Sequence, residues 1–199
     1  MSKRRRLGLD INAPIILGMA ALSLAALIAD SLAMGDMIRL FGAYRTSAAD
    51  PMQYLRLFSH VLVHGDLGHY TGNFMMILAI GPMVEEKYGS GRLCLMILIT
   101  TLITGLINVI FFPGTAVVGA SGIVFMMILL ASFTNIRQGK LPLTVLLVAV
   151  LYIGNEVMAG LFTVSNISRL SHIAGGICGA LFGLMFHAGQ FRGAEHGDG

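Results

Sequence analysis

Residues 69–87 read HYTGNFMMILAIGPMVEEK, with no acid or base between His69 and Glu85. Crossing a hydrocarbon core of about 30 Å takes roughly 20 mostly apolar residues in a helix, which is the length of this stretch. Five further runs of the same kind lie at about 13–34, 92–112, 117–136, 141–161 and 170–188. Breakers and charges separate them: Gly89-Ser90-Gly91-Arg92, Pro113-Gly114, Arg137-Gln138-Gly139-Lys140, and the polar stretch Thr163 to Arg169. Pro82 and several glycines fall inside runs, which lipid-embedded helices tolerate. The expected fold class is an all-α bundle of six transmembrane helices, with residues 1–199 forming a single membrane domain.

Composition agrees. Of 199 residues 56% are hydrophobic and 12% charged, with a mean hydropathy of +0.81. Soluble domains carry about 25% charged residues, so a water-soluble enzyme, a disordered chain and an ordinary nucleic-acid binder are excluded. Net charge is +3, and the basic residues sit mostly at run ends, where they orient a membrane protein. The basic segment 1–12, with Lys3-Arg4-Arg5-Arg6, reads as the cytoplasmic lead-in to a retained first helix, and 189–199 as a polar cytoplasmic tail. With cytoplasmic termini, nine basic residues (Lys3, Arg4, Arg5, Arg6, Lys87, Arg92, Arg137, Lys140, Arg192) lie inside and four (Arg39, Arg45, Arg56, Arg169) outside. The expected location is therefore an inner or plasma membrane. Cys94 and Cys178 each lie within an apolar run and support neither a disulfide framework nor a metal cage.

Residues 35–68 form the one long connection, on the outer side, and mix apolar and aromatic positions (Ile38, Leu40, Phe41, Tyr44, Tyr54, Leu55, Phe58) with a few charges. Such a segment belongs at the membrane interface.

Polar groups inside spans are costly, so each raises a functional question. His69 and Asn73 open the second span, four residues apart and hence on one face. Ser121, within Gly119-Ala120-Ser121-Gly122, opens the fourth, and His172, within Ser171-His172-Ile173-Ala174-Gly175, opens the sixth. The second, fourth and sixth spans run in the same direction, so their openings share one depth. A serine needs a base to become a nucleophile, and His172 fits that role. The oxyanion then formed needs donors, which His69, Asn73 and the Ser121 backbone N–H can supply. Gly175, Gly179 and Gly183 make a small-residue stripe that lets the fourth and sixth spans approach closely. No acidic third member is evident; Asp66 has the right depth but nothing ties it to His172.

These residues resemble the rhomboid family of intramembrane serine proteases over nearly the whole chain. Gly119-Ala120-Ser121-Gly122 matches the family's serine motif. His172, Gly175 and Gly179 match its sixth helix, His69 and Asn73 its histidine–x3–asparagine pair, and Glu85 and Gly89 the inner end of its second helix. The resemblance implies a Ser121–His172 dyad cutting peptide bonds within or near substrate transmembrane segments. It also implies oxyanion donation by His69, Asn73 and the Ser121 backbone, lateral substrate entry between the second and fifth helices, and no cofactor. Three positions depart from the family pattern: Leu55-Arg56 stands for tryptophan–arginine, Phe125 for a tyrosine stacking on the histidine, and Ser171 for the alanine before it. These touch loop anchoring and base tuning, and no reacting group is lost.

Beside these stand plainer expectations. His60 and His64 bond loop backbone, Arg56 anchors the loop or meets lipid phosphate, and Glu85 ties inner helix ends together. Asn155 and Glu156 border a substrate gate or face the interface. Thr100, Thr104 and Asn108, four apart, form a polar stripe that either leads water toward Ser121 or, in the slightly favoured reading, has both threonines bonding back to their own helix. An inactive rhomboid-like binding protein should have lost Ser121 or His172, and a small transporter should carry an internal repeat or polar groups through the full depth.

Overall fold

The computed structural model describes residues 11–32, 36–134, Leu143, Leu147, Val150, Leu151 and 166–195. The expected gate residues Asn155 and Glu156, most of the run 141–161, and the basic residues 3–6, Arg137 and Lys140 lie outside this set. Every element among the described residues is helical, apart from an isolated antiparallel bridge between Ala43 and Val117. In chain order they are α1 (Pro14–Leu32), α2 (Asp36–Phe41), α3 (Pro51–Ser59) followed by a 3-10 turn (His60–Leu62), α4 (Leu67–Tyr88), α5 (Ser90–Phe111), α6 (Ser121–Thr134) and α7 (Asn166–Glu195).

α1, α5 and the Arg169–Phe186 part of α7 are long and apolar enough to cross a membrane. Large apolar side chains stand exposed along α1, α4, α5 and α7 (Leu22, Ile28, Met75, Leu98, Ile110, Ile177, Met185), as do the helical Leu143, Leu147, Val150 and Leu151. A helix in lipid faces an apolar solvent, so these residues need no protein cover. α1 is peripheral: only Ile16, Met19, Ala20, Ser23 and Leu27, one stripe, are buried. α6 is the opposite case, buried at every position from Gly122 to Met127 and packed most extensively on α7 and then α4. An all-apolar helix enclosed on every side is the core of such a bundle.

A buried carboxyl closes the end of the bundle at which α1 begins. Pro14 opens α1, leaving the Ile15 and Ile16 N–H groups without intrahelical acceptors. Glu85, 2% exposed on α4, accepts from both at 3.1 Å and from Ser90 Oγ at 2.7 Å. One carboxylate thus closes the starts of α1 and α5 as well as the end of α4, as the sequence led us to expect.

Three boundaries differ from expectation. Gly89 alone separates α4 from α5, because its φ of +84° reverses the chain in one residue and its carbonyl accepts from Leu93 N–H; Ser90, Gly91 and Arg92 are already helical. α7 begins at Asn166, so the polar stretch before Leu170 is partly helical, since polarity without a glycine or proline does not stop a helix. α6 begins at Ser121, four residues later than the apolar run, because 116–118 is non-helical, paired through Val117 with Ala43, and the chain bends at Gly119 and Ala120.

That extended segment is costly at membrane depth unless its backbone is satisfied. The loop after α1 supplies the partners: Val117 exchanges two hydrogen bonds with Ala43 (2.9 and 3.0 Å), and Gly119 N–H donates to His60 O at 2.9 Å. From α5, Asn108 Nδ2 donates to Ala43 O at 2.7 Å and Thr115 O at 2.8 Å. The loop itself is held by Arg56, whose guanidinium donates to Leu40 O (3.0 Å), pairs with Asp50 (3.2 Å) and lies over the Tyr44 ring at 4.4 Å. Asp50 also caps α3 and accepts from Thr46, contacts that hold its carboxyl below the usual carboxylate range.

Candidate active site

α4 starts where Asp66 accepts the His69 N–H at 2.7 Å. This cap, rather than a link to His172, is the role of Asp66. It fixes the first turn of α4 and thereby His69 and, one turn on, Asn73. Both side chains point at Gly119, whose φ is +104°. A Cβ at Gly119 would stand 2.6 Å from the His69 ring and 3.4 Å from Asn73 Nδ2, so only glycine lets this backbone pass between them. Asn73 Nδ2 is buried and has no hydrogen-bond partner. A buried orphan donor is destabilising in the resting protein and becomes useful when a ligand oxygen arrives.

The next residue is held by a chain of bonds from α1. Ala120 N–H points to His64 Nε2 at 3.3 Å, His64 Nδ1 contacts Ser23 Oγ at 3.0 Å, and that hydroxyl donates to Leu62 O at 2.7 Å. One tautomer satisfies all three: Nδ1–H donates to Ser23, and the Nε2 lone pair accepts. Burial holds the His64 imidazole well below its ordinary pKa, at about 4, which keeps Nε2 available. His64 therefore bonds loop backbone, as the sequence reading had it, and the backbone it bonds is the segment that carries the serine. His60 lies deeper, its Nδ1 3.2 Å from Arg56 O and its Nε2 3.4 Å from Thr104 Oγ1.

Ala120 O accepts from Ile123 and Val124 N–H, so α6 starts here and the Ser121 N–H has no acceptor within its own helix. Ser121 Oγ lies 2.7 Å from His172 Nε2. The Phe125 ring, one turn further along α6, stacks on His172 at 4.5 Å and 17°. Phenylalanine thus retains the face that orients the imidazole.

The two helices meet through glycine. A Cβ at Gly175 would lie 2.8 Å from the Gly122 carbonyl carbon, and one at Gly179 2.9 Å from that of Met126. Both would press closer still on the carbonyl oxygens. Gly122 in turn faces Thr104 and Ser171 O. The stripe seen in the sequence is where α7 touches α6 backbone to backbone. Gly105 does for α5 what the sequence reading missed: its missing Cβ admits the Leu57 backbone and the His60 ring. A glycine within an apolar run at the level of the loop was the available signal.

The polar stripe of α5 behaves in a divided way. Thr104 Oγ1 bonds back to Thr100 O and Thr101 O at 3.0 Å, as expected of a helix threonine. Thr100 does not bond back; its hydroxyl is buried without a hydrogen-bond partner among the described residues, and Asn108 serves the loop segments instead.

A family model described as "Rhomboid domain" matches residues 51–189. Rhomboid protease GluP of Bacillus subtilis is 30% identical over 142 residues, 71% of this chain and 28% of that protein. Rhomboid protease GlpG of Haemophilus influenzae is 28% identical over 177 residues, 86% of this chain and 90% of that protein. The GlpG of Serratia proteamaculans is 25% identical over 174 residues, 84% of this chain and 61% of that protein. The chain thus spans less than two thirds of the length of the Bacillus and Serratia relatives.

Proposed function

The chain belongs to the rhomboid family, and from that premise we propose that it is a serine endopeptidase of the membrane, hydrolysing peptide bonds within or near transmembrane segments of other proteins. The observation that carries this reading is the 2.7 Å approach of His172 Nε2 to Ser121 Oγ. That is hydrogen-bond distance between a hydroxyl and a base, the arrangement that turns serine into a nucleophile. The relatives' printed names, rhomboid proteases, point the same way.

His172 takes the Ser121 proton as Oγ attacks the scissile carbonyl carbon, giving a tetrahedral oxyanion. The N–H of Ser121, the Asn73 amide and the His69 ring stabilise that oxygen; Asn73 Nδ2, buried and unbonded, is poised to donate. Collapse breaks the C–N bond, His172 passes its proton to the leaving amine, and an acyl-enzyme remains on Ser121. A water deprotonated by His172 attacks the ester, and as the second tetrahedral species collapses the C–Oγ bond breaks and His172 returns that proton to Ser121 Oγ, releasing the carboxyl product. No step uses a metal or cofactor. The protein acts as a single membrane domain in an inner or plasma membrane, with cytoplasmic termini and the dyad toward the outer face. Glu85 and Arg56 support this site by holding the inner helix ends and the first loop.

An activity-based fluorophosphonate tests the reading. Wild-type protein in detergent is expected to label at Ser121, and Ser121→Ala and His172→Ala to lose the label. Cleavage of single-span substrates, mapped by mass spectrometry, should vanish in the same variants. Equal labelling of wild type and Ser121→Ala would overturn the proposal.

A further inference from the structure

A cavity of about 570 Å³ opens between the first loop and the turn after α5, lined by Ile38, Arg39, Tyr44, Pro113, Gly114 and Ala116. Its volume lies in the range of small-molecule sites. Among the described residues that line it, Arg39 supplies the single charge. The other arginines of this loop are engaged: Arg45 donates to Val109 O and Ile110 O at the end of α5, and Arg56 holds Asp50 and Leu40 O. Arg39 is exposed and, among the described residues, in no ion pair, although Asp36 precedes it by three residues on α2. The Tyr44 hydroxyl donates to the Arg39 carbonyl at 3.0 Å, which fixes the tyrosine in the cavity wall beside α2.

The rim is apolar. Leu40 follows Arg39 in α2, and Ile110 and Phe111 precede the lining turn; these three are 44%, 54% and 63% exposed. The cavity therefore sits beside α2 where the apolar end of α5 gives way to loop, a boundary between hydrocarbon and water. Its walls combine a free guanidinium, a tyrosine face and apolar groups, with exposed hydrophobic side chains leading away. A phosphodiester satisfies the guanidinium through two parallel N–H···O bonds. A glycerol backbone and the first methylenes of acyl chains fit the remaining walls. A free anion would use the arginine and leave the apolar walls against water.

From this we propose that the cavity is a phospholipid site, with Arg39 binding the headgroup phosphate and Ile38, Pro113 and Ala116 holding the glycerol region. The site goes beyond the proteolytic reading and does not depend on it. A lipid seated there touches α2 on one side and the 113–116 turn on the other, flanking the Ala43–Val117 bridge. Occupancy should accordingly strengthen the seam between the first loop and the segment leading to Ser121.

Native mass spectrometry of the full chain, stripped of lipid in detergent and titrated with phosphatidylglycerol, tests the assignment. Wild type should retain one adduct at concentrations where Arg39→Ala needs at least about tenfold more lipid, the loss expected for a charge-assisted pair. Ile38→Trp, which fills the cavity and keeps the charge, should weaken the adduct equally, and both variants should keep the wild-type circular dichroism. Arg92→Ala, at the far end of the bundle, should bind as wild type. Inorganic phosphate at the same concentrations should not displace the lipid. The proposal is overturned if Arg39→Ala, folded, binds as wild type, if only the Arg92 change weakens binding, or if phosphate competes as well as the lipid does.

Discussion

Placing a methyl group at Gly175 gives the sharpest test of how the dyad is held. A Cβ there would sit 2.8 Å from the Gly122 carbonyl carbon and 3.0 Å from its Cα. Unstrained carbon contacts lie at about 3.5–4.0 Å, so α7 must withdraw from α6 by about 1 Å. Nothing flexible can give way, because both neighbours are backbone. His172 lies three residues back on the same helix face and moves with it. Its 2.7 Å contact with Ser121 Oγ then opens beyond hydrogen-bond reach. A 1 Å misplacement of reacting groups costs on the order of 10²-fold, and loss of general-base assistance about 10²–10⁴-fold. Gly175→Ala is therefore expected to lower kcat/KM by about 10²-fold or more while staying folded. Gly176→Ala is the control: its Cβ would meet only Leu129 carbons at 3.9 and 4.0 Å, and alanine favours helix by up to about 1 kcal/mol. Cleavage of a single-span substrate and the rate of fluorophosphonate labelling, in one detergent and with circular dichroism as a folding check, provide the readout. A folded Gly175→Ala protein within about threefold of wild type in both assays would refute the argument that backbone contact sets the dyad distance.

Further expectations follow from other contacts. Asn73→Ala removes the buried orphan donor, and kcat should fall about 10²–10³-fold with KM little changed, read from steady-state cleavage. Glu85→Gln leaves one acceptor oxygen for three donors; thermal unfolding should show a loss of about 1.5–3 kcal/mol, with labelling of Ser121 preserved at temperatures below the transition. His60 and His64 are buried with pKa values lowered from 6.5 to about 4, so the unfolded chain binds protons first as pH falls. Stability should be full above about pH 6.5 and decline toward pH 4, by about 1.4 kcal/mol per pH unit for each ring; His64→Gln should flatten that slope in melts at pH 7 to 4.5. Asn108→Leu should both destabilise the protein and slow it, because two loop carbonyls lose their donor, whereas Thr104→Val, which takes only the 3.4 Å partner from His60 Nε2, should cost about 1 kcal/mol in thermal melts.

The spans were legible because lipid demands uninterrupted apolar length: the run 92–112 became Ser90–Phe111, and 13–34 became Pro14–Leu32. Parity then placed Ser121, His172, His69 and Asn73 together, since alternate spans point the same way. What could not be read was backbone that leaves the helix within an apolar run. Val117 and Val118 are as hydrophobic as any helix residue, and only their pairing with Ala43 and the positive φ of Gly119 make this stretch extended. The part played by His64 was hidden for the same reason: its partners, Ser23 and Ala120, are 41 and 56 residues away and belong to different elements. Gly105 gave a local sign, but a glycine in a membrane helix has several uses, and its neighbour Leu57 lies in a loop whose path the sequence does not fix.

The 122–128 stretch of α6 turns no face to lipid: every one of its residues is buried. During biosynthesis such a stretch cannot find its final surroundings in the bilayer alone, and its place must be made by α4 and α7. The order of assembly is thereby constrained: the nucleophile arrives as its enclosure closes, so a partly assembled chain has no formed dyad with which to cut its neighbours.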